Sequence, residues 1–145
     1  EFDVIWAEGS IFILGFEKGI SYWKQFLKVG GYMAVTENTW FTDEPSPEVV
    51  EFWQEIYPGI MNIPDTEKVI TAVGYDVIDH FKLPVSAWHE FYDHLEKRVD
   101  DISDNYRVNA EAEMILEFNR REIKLFRERP DEYGYAFYIF QKNKL

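Results

Sequence analysis

Two carboxylates stand where open α/β sheets keep their ligands. Glu8 closes the apolar run Phe2-Asp3-Val4-Ile5-Trp6-Ala7, and Glu37 closes Tyr32-Met33-Ala34-Val35-Thr36. Ligands of such sheets bind beyond the carboxyl ends of the strands, near the point where strand order reverses. In one reading Glu8 attracts a cation or orients a nucleophile there; in the other it caps the following helix, favoured by the helix dipole. Glu37, with Asn38 and Trp40 after it, is a general base if the substrate must lose a proton, and a solvated loop carboxylate otherwise. Aromatic residues make up 18% of the chain, enough to wall a pocket for a flat or cationic small molecule. Trp40, Trp53, Tyr57, Trp88 and Tyr92 are the candidates for that wall. Trp53, Tyr57, Trp88 and Tyr92 all sit at helical spacing, which core packing also explains.

Other chemistries lack their residues. His89 and His94 fall on different faces of one predicted helix and His80 on a strand, so no histidine pair has zinc-binding spacing. Ser10 and Ser86 lack the Gly-x-Ser-x-Gly elbow of a hydrolase. The chain has no cysteine, which removes thiolate nucleophiles, thiolate metal sites and disulfides and fits a cytoplasmic location. A net charge of -12 repels phosphate backbones and anionic lipid. The densest basic stretch, Arg120 to Arg129, interleaves Glu122 and Glu128 as a solvated helix face does. Neither nucleic acid nor a membrane is therefore an expected partner. Ser10 to Phe16, the longest apolar stretch near the start, is far short of the ~20 residues that span a bilayer.

The elements that must position these residues follow from hydrophobic period. With 145 residues, 46% of them hydrophobic, the chain can bury one sizeable core. Phe2 to Ala7 reads as a strand covered on both faces. Phe16, Ile20, Trp23, Phe26 and Leu27 predict a helix from Phe16 to Lys28, closed by Gly30-Gly31. Tyr32 to Thr36 is a second strand, and the three elements make a βαβ unit with a right-handed crossover. A polar loop from Thr39 to Ser46 leads to a helix opening at Pro47 and stopping before Pro58-Gly59. A short helix follows Pro64-Asp65-Thr66 and ends at Gly74. Tyr75 to Leu83 alternates as a strand, with Tyr75, Val77, Asp79, Phe81 and Leu83 on one face. A helix begins at Ser86, a charged loop spans Asp100 to Asn105, and a long amphipathic helix runs from Asn109 to Arg127. Tyr133 to Phe140 closes the chain as an aromatic strand.

This order resembles the second half of the class I methyltransferase fold. Phe26-Leu27-Lys28-Val29-Gly30-Gly31-Tyr32-Met33-Ala34-Val35-Thr36-Glu37 is similar to the Leu-Lys-Pro-Gly-Gly turn entering the fifth strand of ubiquinone/menaquinone-type (methyltransferase type 11-like) enzymes, with Val29 in place of proline. Asp3 to Ile11, Gly15-Phe16-Glu17, Trp40 to Asp43, Tyr57-Pro58, Gly74-Tyr75 and Tyr133 to Tyr138 also resemble, in order, a subgroup of small-molecule methyltransferases. The resemblance implies a Rossmann-like α/β sheet with strands in the order 4-5-7-6, the last antiparallel, and a helical insertion. It divides the chain into a βαβ unit over 1–38, an insertion with one strand over 39–132 that lids the substrate, and a terminal strand over 133–145. S-adenosylmethionine is the implied cofactor, lined by Trp6, Ala7, Glu8, Gly9 and Ser10, with the Glu8 carboxylate toward its sulfonium. Trp40, Trp53, Tyr57, Trp88 and Tyr92 would cover a small-molecule acceptor.

The resemblance also implies an absence. The family's glycine-rich loop and its acidic ribose ligand are not found, and Gly15-Phe16-Glu17-Lys18-Gly19 lies at the start of a helical pattern instead of after a strand. Phe2 to Ala7 reads as a buried strand with no lead-in. We therefore expect the acceptor-side half of a methyltransferase, inactive alone, whose partner is the missing N-terminal half, with homodimerisation as another fate of the open strand edge. A non-catalytic binding or dimerisation module of the same fold is the alternative function.

Overall fold

Along β1 (Phe2–Ala7) Ile5 and Ala7 pack into the core while Val4 and Trp6 face outward, the two-residue period of a strand. A 3-10 turn, Ile11–Ile13, leads to α1 (Phe16–Trp23), which buries Phe16 and Ile20. The chain then enters β2 (Leu27–Trp40), parallel to β1 with Val4 opposite Tyr32 and Ala7 opposite Val35. The helix expected to reach Lys28 thus stops at Trp23. Lys24–Phe26 is a 3-10 turn and Leu27, fully buried, already pairs with Phe2. Thr39 and Trp40, expected in a loop, extend β2 because β3 (Met61–Asn62) and a later strand both pair with them.

Between these strands α2 (Pro47–Ile56) starts at a proline and buries Val49, Phe52 and Trp53. α3 (Ile63–Val73) is capped at both ends. Asn62 Oδ1 accepts from the Asp65 N–H at 2.9 Å, and Gly74 takes the left-handed conformation at φ 93°. β4 (Tyr75–Lys82) and β5 (Tyr133–Lys142) complete the sheet in the order β1-β2-β5-β4, with β5 antiparallel to both neighbours. The expected topology is thereby met. The alternation expected for β4 is not, since a register shift between Val77 and Asp79 turns the strand over. Phe81 therefore stacks on Phe137, on the opposite face from Tyr75.

The sheet's two faces differ. One carries Met33, Val35, Tyr75, Tyr138 and Phe140 into a core shared with Ile11, α1 and Ile70 of α3. On the other, Val4, Trp6, Tyr32 and Phe81 are exposed, with Trp6 and Phe81 flanking the Phe137 ring at 5.1 and 5.3 Å. Among the described residues β1 pairs with β2 alone, so its other edge is open.

The computed structural model describes residues 1–106 and 109–144. They divide into two compact units, the sheet unit of Glu1–Leu83 with Glu132–Leu145, and Pro84–Asp131. The second is a pair of helices, α4 (Ser86–Tyr106) and α5 (Ala110–Glu128), with its own core of Tyr92, Val99, Leu116, Ile123 and Phe126. Tyr92 stacks on Phe126 at 4.0 Å, and Arg127 of α5 binds Asp93 and Glu96 of α4. The charged loop expected over Asp100 to Asn105 is helical instead. Val99 and Ile102 pack into the hairpin core, and Ser103 donates to the Val99 carbonyl while accepting from Arg120 at 2.7 Å. No described helix is long and apolar enough to cross a membrane.

Candidate functional site

Because β1 and β2 are parallel and Ala7 lies opposite Val35, the loop after Ala7 emerges beside Thr36 and Glu37, from which β2 runs on to Trp40. A hydrogen bond ties loop and strand together, the Gly9 N–H donating to Thr36 Oγ1 at 2.8 Å. Gly9 turns at φ 56°, a conformation that L side chains adopt only with strain, and its backbone is left approachable. Glu8 is exposed, and its Oε1 accepts from the Trp6 indole N–H at 2.6 Å. It is not a helix cap: Ser10 and Gly15 hold the N-terminal positions of the next two helical segments, neither with a side-chain cap bond. Trp6, Glu8, Gly9 and Ser10 thus make a continuous rim, with Ala7 half-buried behind it.

Glu37 is the opposite case. It is 2% exposed, so the solvated carboxylate considered above does not exist. Oε1 accepts from the Asn38 N–H at 2.7 Å, while Oε2 is buried with no partner within hydrogen-bond distance. Burial pushes the carboxyl up to about 7, against the opposing pull of the Asn38 N–H and the Tyr57 hydroxyl. Tyr57, which follows α2, is itself held above the usual phenol range by burial and by the Glu37 charge. Beyond Glu37 the buried polar line continues. Thr39 Oγ1 donates to the Glu37 carbonyl and lies 3.0 Å from the Tyr138 hydroxyl, which burial also raises.

The five aromatic candidates separate. Tyr57 joins the site beside Glu37, its ring edge-on to Phe12 at 6.2 Å. Trp40 ends β2 beside a groove of about 320 Å³ that Phe41, Asp43, Asn62 and Lys82 also line. Trp53 is 8% exposed and packs on Tyr133 at 5.2 Å, a core role, although its indole N–H is buried without a partner. Trp88 and Tyr92 belong to the helical hairpin and pack there, Tyr92 donating to Glu122 at 3.1 Å. His80 pairs with Glu67 at 2.7 Å, and the described residues hold no cluster of three metal-ligating side chains.

The Gly9–Thr36 clip and the Glu37–Tyr57 proximity do not follow from spacing. The exposed apolar turn Phe12, Ile13 and Leu14 was legible as an apolar run, whereas the contact of Phe12 with Tyr57 was not.

No family model matches this sequence, and no curated protein matches it significantly. Solved structures do match. A Geobacter sulfurreducens S-adenosylmethionine-dependent methyltransferase, bound to S-adenosylhomocysteine, is 15% identical with a TM-score of 0.72, covering 99% of this chain and 59% of that one. YjhP of E. coli is 19% identical at a TM-score of 0.73, covering 99% and 60%. The [4+2]-cyclase SpnF is 19% identical at 0.67, covering 98% and 50%. The chain spans half to three-fifths of the length of these structures, and such identities speak to architecture alone. This chain is a mixed α/β sheet with the fold of the class I methyltransferases.

Proposed function

We propose that this chain belongs to an S-adenosylmethionine-dependent methyltransferase acting on a small molecule, and supplies its acceptor side. The observation that carries this is the shared rim of β1 and β2, where an exposed carboxylate and a buried, under-bonded one stand at the ligand-binding end of a class I methyltransferase sheet. The rim fits one wall of a cofactor site. Gly9 brings bare backbone to the surface, Trp6 offers an exposed ring, and Glu8 adds an anion that favours a sulfonium. Trp6, Ala7, Glu8, Gly9 and Ser10 would hold the cofactor, which when bound supplies an activated methyl group. Glu37 accepts a proton from the acceptor, and Tyr57 and Trp40 border the acceptor's path. The remaining cofactor contacts come from a further segment that pairs with the open edge of β1 and covers Val4, Trp6 and Tyr32.

The test is calorimetric binding of S-adenosylmethionine to the full-length protein, with Glu8→Ala beside it. Loss of one charge partner predicts a cofactor affinity about tenfold weaker in the variant. Unchanged affinity would remove Glu8 from the site, and absence of binding to the wild-type protein would sink the methyltransferase reading.

A further inference from the structure

Glu37 combines three features that purely structural carboxylates rarely share. It is 2% exposed, it has one oxygen with no partner within hydrogen-bond distance, and no lysine, arginine or histidine among the described residues acts on it. The groups that do face it are the Tyr57 hydroxyl after α2, the Asn38 N–H on its own strand and, more distantly, the Tyr138 hydroxyl of β5. A buried carboxylate ordinarily keeps an internal cation or a full set of donors, because an unpaired charge in low dielectric is costly. Here the described residues provide no cation, and Oε2 is buried with no partner within hydrogen-bond distance. Beside it stands the ring of Tyr57, partly exposed, with Phe12 edge-on against Tyr57, and aromatic faces favour a cation over a neutral group of equal size.

We propose that the acceptor of this site is a primary or secondary amine, whose ammonium docks on Glu37 Oε2 and gives it one proton. The inference rests on the methyltransferase reading above. The transfer balances within the pair: the N–H bond breaks, an O–H bond forms on Oε2, and the nitrogen recovers the lone pair that it needs as a nucleophile. A carboxyl titrating near neutrality suits both halves of that exchange, binding as an anion and leaving as an acid. An alcohol offers no charge to Oε2.

The experiment follows the Glu37 carboxyl by carbon NMR in glutamate-labelled full-length protein, assigned through Glu37→Gln, with benzylamine and benzyl alcohol as probes of matched shape. Benzylamine should lower the apparent pKa of Glu37 by a unit or more and benzyl alcohol should leave it in place. Benzylamine affinity should fall at least tenfold in Glu37→Gln and decline below pH 7 in the wild type. Equal responses to the two probes, or equal amine affinity in wild type and variant, overturn the proposal. Should Glu37→Gln fail to fold, assignment passes to Tyr57→Phe, whose loss of the neighbouring hydroxyl perturbs the same carboxyl signal, and the wild-type probe comparison still decides. Cofactor calorimetry on the same sample separates the two failures. Binding of S-adenosylmethionine without amine preference defeats only the amine, whereas no cofactor binding defeats the reading beneath it.

Discussion

A carboxyl buried without a counter-ion destabilises the folded state once it ionises. Folding raises Glu37 from 4.5 to about 7, so between those values the native protein holds a proton that the unfolded chain releases. The stability that the neutral carboxyl provides is therefore complete below about pH 4.5 and is lost as pH rises through 7, to a total of about 3 kcal/mol. Glu37→Gln, which keeps the shape and removes the charge, should be more stable than wild type at pH 8 by up to that amount and equal to it near pH 4. Urea midpoints across pH measure the gap. A gap that stays constant with pH would mean that Glu37 ionises alike in both states. Glu8 was legible at the end of β1 because that strand stops where its apolar run stops, whereas β2 runs past Glu37 to Trp40 on pairing with β5 and β3. The sequence left open which carboxylate is buried, because Tyr57 comes to the side of Glu37 only through tertiary packing.

Among the elements, α3 tests how far local signals govern stability. Asn62 and Gly74 satisfy its two ends, and each does so in a way that its replacement by alanine cannot copy. Asn62→Ala should cost about 1 kcal/mol by leaving the Asp65 N–H without its acceptor. Gly74→Ala should cost at least as much, since a Cβ there would be strained at φ 93° and would crowd the Lys24 ammonium. Thermal unfolding of the two variants gives both values. The end at Gly74 was legible because it depends on one residue type at one position, whereas the start, expected after Pro64-Asp65-Thr66, lies at Ile63 behind the Asn62 cap. The boundary of α1 was not legible. Trp23, Phe26 and Leu27 continue a helical stripe, and only pairing of Leu27 with a strand remote in sequence turns the chain into β2. The same holds for β4, where nothing in the alternating sequence reports the register shift that carries Phe81 to the other face. In α4 the reverse holds, since five polar residues around Ile102 disguise a helix that the two apolar ones, Val99 and Ile102, keep in place.

For the molecule as a whole, β1 presents an unpaired edge beside exposed Phe2, Val4 and Trp6. Such an edge templates further strand pairing. The 145-residue chain taken alone should therefore self-associate, and Val4→Lys, which places a charge on that strand's exposed face, should shift it toward monomer in light scattering. A well-behaved monomer at high concentration would show that the edge is already protected. The helical hairpin leaves the sheet unit after Leu83 and returns at Glu132. Those two points are neighbours, for Lys82 is paired with Ala136 and the Leu83 N–H donates to the Tyr135 carbonyl at 2.9 Å. To the sheet, the whole of Pro84–Asp131 is thus an oversized hairpin turn, and closing a longer loop costs little more than closing a short one. The hairpin is in that sense a cassette. A short turn could replace it while β4 and β5 stay in register, and a differently shaped pair of helices could be grafted at the same two residues without redesigning the strands.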